Sequence, residues 1–367
     1  HPDLAPNVWT NPGESGGGKE TNGIDDDGDG YVDDVHGWDF VQNDNEPLDF
    51  YFHGTHVAGT IGAAGNNGTG ITGVDWHTSL IALRAGDAAN GELLDSDIIS
   101  AFLYACAHGA RVVNASFGGP EFSQAMLDVI ASPGCANTLF VASAGNDGVD
   151  VDTSPSYPCS FTAANLVCVA ATDADGTLAS FSNYGPASVD LAAPGVDVLS
   201  TIPDFQSVFD DDFESSIASS WTVGGTTPHW GRQSDGAGGF VLSDSPAGDY
   251  ASGGDTWARP TNAIDLSGKR GCAVEYDLKL DTQQDHDLLV VEGSSDLTTW
   301  TTVATYSGPV DESEFDDLSD FDGTATFYLR FRLQSDSDAT VGDGAKIDNL
   351  ALSCLGTSFS DTDYFSL

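Results

Sequence analysis

The first 204 residues alternate between short apolar stretches and segments with helical periodicity. Residues 95–108 place Ile98, Ile99, Phe102, Leu103 and Ala105 on one helix face, and a second helix is predicted near residues 123–131. Buried strands are predicted at residues 79–84, 112–114, 139–142, 167–170 and 189–191. Strands that alternate with helices predict right-handed crossovers and a parallel sheet covered on both faces. Functional residues of such sheets lie at the carboxyl ends of the strands.

The pattern changes at about residue 205, where short β-rich segments replace the helices. Residues 273–280, 287–292 and 326–333 either alternate between apolar and polar positions or are rich in β-formers, and Gly, Asp, Asn and Ser separate them. This pattern is typical of a β-sandwich. We therefore predict a first domain at residues 1–204 and a β-sandwich module at residues 205–360.

One stretch of the first domain carries candidate catalytic chemistry, residues 53–63 (HGTHVAGTIGA). Small residues surround two histidines and precede an apolar run, which predicts a helix that starts close to a reactive centre. Glycine there lets a substrate and the backbone approach one side chain closely. Half of a zinc site is an alternative, but the glutamate of the His-Glu-x-x-His metalloprotease motif is absent. A histidine pair without a catalytic role is the other alternative.

Residues 22–34 (NGIDDDGDGYVDD) place carboxylates at alternate positions between glycines. This spacing resembles the start of a calcium loop, although the closing glutamate of an EF-hand is missing. The candidate ligands are the carboxylates of Asp25, Asp27 and Asp29, the Tyr31 carbonyl, and Asp33 or Asp34. Six carboxylates within ten residues repel strongly without a cation. The alternative is a solvated acidic loop.

The strongly acidic composition and the absence of a long apolar run exclude some classes of function. The chain has 57 acidic and 11 basic residues and a formal net charge of −46. Nucleic acid is excluded as a partner because phosphate binding needs a basic face. The acidity suits an exported protein, calcium binding or a salty habitat, and does not choose among them. No apolar run approaches the roughly 18 residues that span a bilayer, so we expect no membrane insertion.

Six cysteines permit three disulfides. Cys159 and Cys168 flank a short loop, and Cys272 and Cys354 bracket most of the β-rich module. Cys106 and Cys135 form a third possible pair, with buried free thiols as the alternative. An even count of this kind favours an oxidising, extracellular setting.

Several motifs together resemble the subtilisin family of serine peptidases (subtilases, peptidase S8), nearest to its calcium-rich, thermitase-like secreted branch. The resemblance covers residues 1 to about 204 and the last few residues of the chain. Its motifs occur in the family's order, namely HPDL at 1–4, GWDF at 37–40, the stretch from His53, NASFGG at 114–119, ASAGNDG at 142–148, FSNYG at 181–185 and AAPG at 192–195.

The resemblance implies an α/β, three-layer subtilisin-like fold and assigns roles by motif position. His53 becomes the general base, His56 a structural neighbour, and Asn146 the side-chain donor of the oxyanion hole. Two segments are implied to bind the substrate backbone and form the specificity pocket, Ser116, Phe117 and Gly118 in the first and Ala142, Ser143, Ala144 and Gly145 in the second. Small residues in the pocket predict broad specificity that favours large hydrophobic side chains.

The same resemblance implies calcium as cofactor at two further places. One is formed by Asp39, Asp44 and Glu46, where Gln42 replaces an acidic ligand of the family. The other combines Asp3, Asn67, Thr69 and the carbonyl of Ile71, together with a family ligand that would lie upstream of His1.

The family's Asp-Thr-Gly and Gly-Thr-Ser-Met-Ala-x-Pro motifs, which carry the catalytic aspartate and serine, do not occur in the sequence. We expect them before His1 and after Leu367, so that the chain is truncated at both ends and inactive alone. Gly356-Thr357-Ser358 imitates the serine motif, but we interpret Ser358 as a decoy because the proline and helix pattern are missing. Residues 361–367 are then a return to the peptidase domain, and the β-rich module is an insertion.

The β-rich module has a weaker resemblance to the jelly-roll (MAM-like) modules of secreted peptidases, carried by Trp221, Trp230 and residues 343–350. That resemblance implies binding, of a glycan or a protein, or stabilisation rather than catalysis. We expect a secreted monomer that acts on peptide or protein substrates. The alternatives are a catalytically degenerate subtilase that binds through the module, separate chains that complete the catalytic domain, and a calcium-ordered adhesion protein.

Overall fold

The structure is a computed structural model that describes residues 1–86, 91–226, 229–356 and the backbone of residues 363–365. The chain divides into two compact units. The first contains His1–Pro203 and a C-terminal strand, Asp363–Phe365. The second begins at Asp204. Ser358, the decoy serine, lies outside the described residues.

In the residues that the structure describes, short strands and three α-helices build the first unit. The helices are α1 (His53–Gly62), α2 (Asp95–Ala107) and α3 (Gln124–Ile130). The strands are β1 (Gly37–Asp39), β2 (Ala82–Arg84), β3 (Val112–Ala115), β4 (Leu139–Ser143), β5 (Leu166–Thr172), β6 (Leu191–Pro194) and β7 (Val198–Ser200). Both predicted helices after residue 90 are confirmed, whereas the strand predicted at residues 79–84 is shorter at its start.

The predicted parallel sheet is confirmed. Strands β3, β4, β5 and β6 are hydrogen-bonded in that order, and every pairing is parallel. Strands β1 and β2 form a separate parallel pair. Because the chain repeatedly leaves one end of the sheet and returns to the other, loops that follow β3 and β4 emerge at the same carboxyl edge.

Helices α2 and α3 cover this sheet through one apolar cluster. Ile98 and Phe102 from α2 and Ile130 from α3 are at most 5% exposed and pack with the buried Phe140 of β4. The Phe102 and Phe140 rings lie 4.9 Å apart, edge to face. The predicted apolar face of α2 is therefore confirmed for Ile98, Phe102 and Ala105, which are buried, but it is wrong for Leu103, whose side chain is 49% exposed.

The described residues of the second unit are mainly β-strands, with one short 3-10 helix at Ser319–Phe321. Its strands are β8 (Phe205–Asp211), β9 (Trp221–Gly225), β10 (Gly231–Ser234), β11 (Phe240–Ser243), β12 (Asp255–Pro260), β13 (Cys272–Asp281), β14 (Leu288–Ser294), β15 (Thr301–Ser307), β16 (Pro309–Asp317), β17 (Tyr328–Gln334) and β18 (Gly344–Leu355). The C-terminal strand Asp363–Phe365 is β19, which pairs with β7 of the first unit.

These strands form two antiparallel sheets around one buried cluster. One sheet has the order β10-β11-β18-β13-β16, with β8 also paired to β18, and the other has the order β15-β14-β17-β12-β9. Alternate residues of β17, including Leu329, Phe331 and Leu333, point inward and are at most 3% exposed. The β-rich pattern of this region is therefore confirmed.

Three disulfides join Cys106 to Cys135, Cys159 to Cys168 and Cys272 to Cys354. The sequence left open whether Cys106 and Cys135 are paired or are free thiols, and the structure shows that they are paired. None of the helices that the structure describes is long and apolar enough to cross a membrane.

Candidate active site

His53 is the first residue of α1, and the chain enters this helix through an uncommon turn. Phe52, the residue before it, has φ 62° and ψ −25° in the left-handed region, where residues other than glycine are uncommon. Asp49 supports the turn, because its carboxylate accepts hydrogen bonds from the amides of Tyr51 (3.0 Å) and Thr55 (2.6 Å). The first turn of α1 is thus held in place by a carboxylate beside His53.

The environment of His53 favours the neutral imidazole. Burial lowers the pKa of His53, and the nearby charge of Asp49 opposes that shift. A neutral ring has the free lone pair that a general base needs.

Helix α1 is fixed against β7 by hydrogen bonds to its backbone. The Ser200 hydroxyl donates to the His56 carbonyl (2.6 Å), and the Thr201 hydroxyl donates to the Thr55 carbonyl (2.8 Å). A Cβ at Gly59 would lie 2.2 Å from the Thr201 hydroxyl oxygen, so this close approach requires glycine. The His56 ring is buried and its Nε2 lies 3.2 Å from the Val198 carbonyl oxygen.

The two predicted substrate-binding segments follow neighbouring strands. Ala115 of β3 pairs with Ala142 of β4, so residues 116–118 and 144–146 leave the same edge of the sheet. The Ser143 hydroxyl donates to the Phe117 carbonyl across this edge (3.5 Å). The Phe117 ring packs toward the α2 cluster, with its centroid 6.3 Å from that of Phe102.

Asn146 is exposed, and a buried asparagine organises the segment that carries it. Asn183 is 1% exposed; its Nδ2 donates to the Ala144 carbonyl (2.9 Å), and its Oδ1 accepts from the amides of Asp147 and Val149 (both 3.0 Å). Gly145 has φ 103°, and a Cβ there would lie 2.5 Å from Asn183 Nδ2. Sequence reasoning quoted Asn183 only as part of a motif and did not predict this role.

The structure brings the two strand-end segments together through the β3–β4 pairing. In the described part of the chain, His53 makes no direct hydrogen bond to either segment. A general base at a helix start and an exposed amide at a strand end are two of the groups that acyl transfer uses.

The acidic loop forms a cluster that sequence reasoning predicted only in part. Carboxylate oxygens of Glu14, Asp27 and Asp34 lie within 4.8 Å of one another. Glu14 and Asp34 are fully buried, and the Oε2 atom of Glu14 has no hydrogen-bond partner. Burial raises the pKa of Asp34, although hydrogen bonds from Tyr104 and Asn11 lower it. Glu14 was missed because a single glutamate in a glycine-rich loop has no distinguishing spacing.

The other predicted loop ligands have different surroundings. Asp25 accepts hydrogen bonds from the amides of residues 28–30, and Asp33 accepts from those of residues 22 and 23. The Tyr31 ring packs edge-on against Trp38 and Tyr104. Asp25 and Asp33 therefore support the loop backbone in this structure.

At the second predicted calcium position, Arg84 supplies a positive charge. Its Nη1 donates to Asp39 Oδ2 (2.5 Å) and Gln42 Oε1 (2.9 Å), while Asp39 Oδ1 accepts two backbone amides. Asp44 Oδ1 accepts from the amide of Glu46 (2.9 Å). The buried charge of Asp39 is thus balanced by an arginine that the sequence analysis assigned only to a strand.

Residues of the third predicted calcium position lie close together, although Ile71 contacts Asp3 through its amide and not through the carbonyl that was predicted as a ligand. Asp3 is fully buried and accepts hydrogen bonds from Asn67 Nδ2 (2.5 Å) and the Ile71 amide (2.9 Å). Thr69 is tied to this group by its amide, which donates to Asn67 Oδ1 (3.0 Å). Residues about 64 positions apart in the chain therefore meet, as the resemblance implied.

The parallel sheet and the helices that pack against it make the first unit an α/β domain, with His53 at a helix start and Asn146 beyond the end of a strand. A sequence model described as the subtilase family matches residues 1–235. The chain belongs to the subtilase family.

The chain is similar to a thermophilic serine proteinase, to thermitase and to a subtilisin-like protease. Identity is 43% over 169 residues with the thermophilic serine proteinase of Bacillus sp. (strain AK1), covering 46% of this chain and 40% of the relative. It is 38% over 169 residues with thermitase of Thermoactinomyces vulgaris, covering 46% and 58%, and 37% over 221 residues with subtilisin-like protease 1 of Plasmodium vivax, covering 55% and 34%. The chain spans less than two thirds of the length of each of these relatives.

Proposed function

We propose that this chain is part of a secreted, calcium-dependent subtilisin-like serine endopeptidase that hydrolyses peptide bonds with broad, hydrophobic-leaning specificity. The observation that carries the proposal is the half-buried His53 at the start of α1, within a chain that belongs to the subtilase family. His53 takes the proton of a serine nucleophile, and Asn146 donates to the oxyanion of the tetrahedral intermediate.

The substrate chain would lie along residues 116–118 as an added strand. Ala142, Ser143, Ala144 and Gly145 would form the other wall of the specificity pocket. Their small side chains leave room for a large apolar residue before the scissile bond.

The motifs for the aspartate and the serine are not among these 367 residues. The activity is therefore proposed for the protein that contains the chain, and the 367 residues alone are proposed to be inactive. The second unit is proposed to be a jelly-roll insertion that binds a glycan or a protein, or that adds stability to the protein.

An extracellular location is supported by the three disulfides and by one relative, the halolysin-like extracellular serine protease Nep of Natrialba magadii. Disulfides persist mainly in oxidising compartments.

The test uses the protein encoded by the complete reading frame and a chromogenic peptide with phenylalanine before the scissile bond. We expect His53→Ala to lower kcat by about 10⁴-fold or more and Asn146→Ala by about 10²- to 10³-fold. His77→Ala, which changes an exposed histidine, is the matched control. Full activity in His53→Ala would refute the assignment. A complete protein that fails to react with a serine-directed fluorophosphonate would favour the degenerate, ligand-binding alternative.

Calcium is proposed for the acidic cluster because the residues present fit it. Glu14, Asp27 and Asp34 offer hard oxygen ligands, and the unpartnered Oε2 of buried Glu14 needs a cation or a donor. Bound calcium would neutralise the mutual repulsion of these carboxylates and hold the loop in one conformation.

Chelation should lower the melting temperature, since a ligand at 100 times its Kd stabilises the folded state by about 2.7 kcal/mol. Glu14→Gln should remove most of this calcium response, whereas Glu121→Gln, a control at an exposed position, should retain it. A melting curve that excess chelator leaves unchanged in the parent chain would refute the calcium proposal.

A further inference from the structure

His108 lies against the acidic loop, although nothing in its sequence position indicates that contact. It directly follows α2, and its side chain is 11% exposed. Its ring stacks on Tyr104 with centroids 4.0 Å apart and meets Trp9 edge-on at 5.3 Å. The imidazole is thus held in one orientation by aromatic neighbours.

A hydrogen bond fixes which ring nitrogen carries the proton. His108 Nδ1 lies 3.0 Å from the backbone carbonyl oxygen of Tyr104. A carbonyl oxygen only accepts, so Nδ1 is the protonated nitrogen, and in the neutral ring the lone pair is at Nε2. Donation from the second ring nitrogen to a backbone carbonyl is the usual arrangement of a metal-binding histidine.

The Nε2 atom points at carboxylates. It lies 3.1 Å from Asp29 Oδ2 and 3.9 Å from Asp34 Oδ2. A nitrogen lone pair and a carboxylate oxygen repel at this distance unless a proton or a metal ion lies between them. The position between His108 Nε2 and Asp29 Oδ2 therefore holds either a proton or a metal ion.

A third ligand is in place. Ligand atoms of Asp27, Asp29 and His108 lie within 4.8 Å of one another. Asp27 also belongs to the cluster with Glu14, whose buried Oε2 has no hydrogen-bond partner. The two clusters are thus adjacent and share one carboxylate.

We propose that Asp27, Asp29 and His108 form a second cation site, distinct in chemistry from the oxygen-only calcium cluster and selective for a divalent metal such as Zn²⁺. Calcium takes oxygen ligands, whereas an imidazole nitrogen with carboxylates suits zinc. The loop then holds a pair of unlike metals, with Asp27 between them. This site does not depend on the proposed peptidase activity.

The test is a Zn²⁺ titration of the full chain in saturating calcium, followed by calorimetry and by the ¹⁵N shifts of the histidine side chains. We expect one Zn²⁺ to bind and to move the His108 Nε2 signal. His108→Gln should weaken this binding at least about tenfold, while His77→Gln should not change it. Asp29→Asn is a second variant that should also weaken zinc binding, and circular dichroism checks that each variant is folded.

Two results would overturn the proposal. One is unchanged zinc affinity in folded His108→Gln and Asp29→Asn variants. The other is a His108 ring that keeps the signals of an imidazolium at saturating Zn²⁺, which would show that a proton, and an ion pair with Asp29, occupies the position instead.

Discussion

The two units of this chain are stabilised in different ways. In the described residues, the β unit encloses one cluster of 25 buried apolar side chains, whereas the α/β unit has two clusters of eight and six. Both units also bury carboxylates, namely Asp3, Glu14, Asp34 and Asp39 in the α/β unit and Asp244, Asp287, Glu292 and Asp316 in the β unit. Buried carboxylates need polar partners, and their contacts carry more weight in the α/β unit because its apolar clusters are smaller. The β unit depends mainly on apolar packing.

The largest expected effect comes from removing apolar volume from the β unit. Phe331 is fully buried and meets the Tyr276 ring edge-on at 5.1 Å. Phe331→Ala should lower the free energy of unfolding by about 3–5 kcal/mol, because it loses transfer free energy and leaves a cavity. Urea unfolding followed by circular dichroism measures the loss. Phe122→Ala, which truncates a side chain that is 54% exposed in the other unit, should cost less than about 1 kcal/mol. Equal losses of unfolding free energy in the two variants would contradict the proposed difference between the two units.

One buried carboxylate in the β unit tests the contrast through pH. Burial raises the pKa of Asp244 to about 7, with the charge of Asp343 adding to the shift. A raised folded-state pKa means that the folded state holds a proton which the unfolded state releases above about pH 4. The stability is complete below that pH and declines as pH rises toward about 7.

Asp244→Asn should remove this pH dependence. The loss of unfolding free energy between pH 4.5 and pH 8 should shrink by an amount on the order of 3 kcal/mol relative to the parent chain. Asp265→Asn is the control, because Asp265 is exposed and hydrogen bonds from Ser267 lower its pKa. A parent and an Asp244→Asn variant with the same pH profile would show that Asp244 is ionised in the folded state.

The sequence predicted the helices and strands of both units better than it predicted the polar contacts within the first unit. Periodicity located α2 and the strands β3 and β4, because burial of one face leaves a regular apolar pattern. It gave no indication that Glu14 joins Asp27 and Asp34, that Arg84 pairs with Asp39, or that His108 meets Asp29. Those contacts join residues far apart in the chain through single polar side chains, which have no periodicity.

The motif resemblance predicted the positions of candidate functional residues where these lie in short, contiguous segments. It placed residues 116–118 and Asn146 at strand ends, and the β3–β4 pairing brings these segments to one edge of the sheet. The Phe117 ring was expected in the pocket segment, but it packs partly against the helix cluster. Side-chain direction depends on tertiary packing, which a motif does not specify.

A smaller effect is expected from the polar support of Asn146. Asn183→Ala removes the acceptor of the Asp147 and Val149 amides and the donor to the Ala144 carbonyl. Because the two amides and the carbonyl lose their hydrogen-bond partner, the free energy of unfolding should fall by about 2 kcal/mol. Hydrogen exchange at the Asp147 and Val149 amides should accelerate more than exchange in β17. Asn165→Ala, which removes donors to three carbonyls elsewhere in the unit, is the matched control and should leave those two amides protected.

The smallest effect concerns Asp49, a carboxylate beside His53. Asp49→Asn keeps a side-chain oxygen for the Thr55 amide but removes the charge that raises the pKa of His53. The pKa of His53 should therefore fall further below its ordinary value, and stability should change by less than about 1 kcal/mol. A titration of the His53 ring proton by NMR measures the shift, with Asp175→Asn in a distant exposed turn as the control. An unchanged His53 pKa would show that Asp49 acts on this histidine only through the helix start, as a backbone cap, and that burial alone keeps the imidazole neutral.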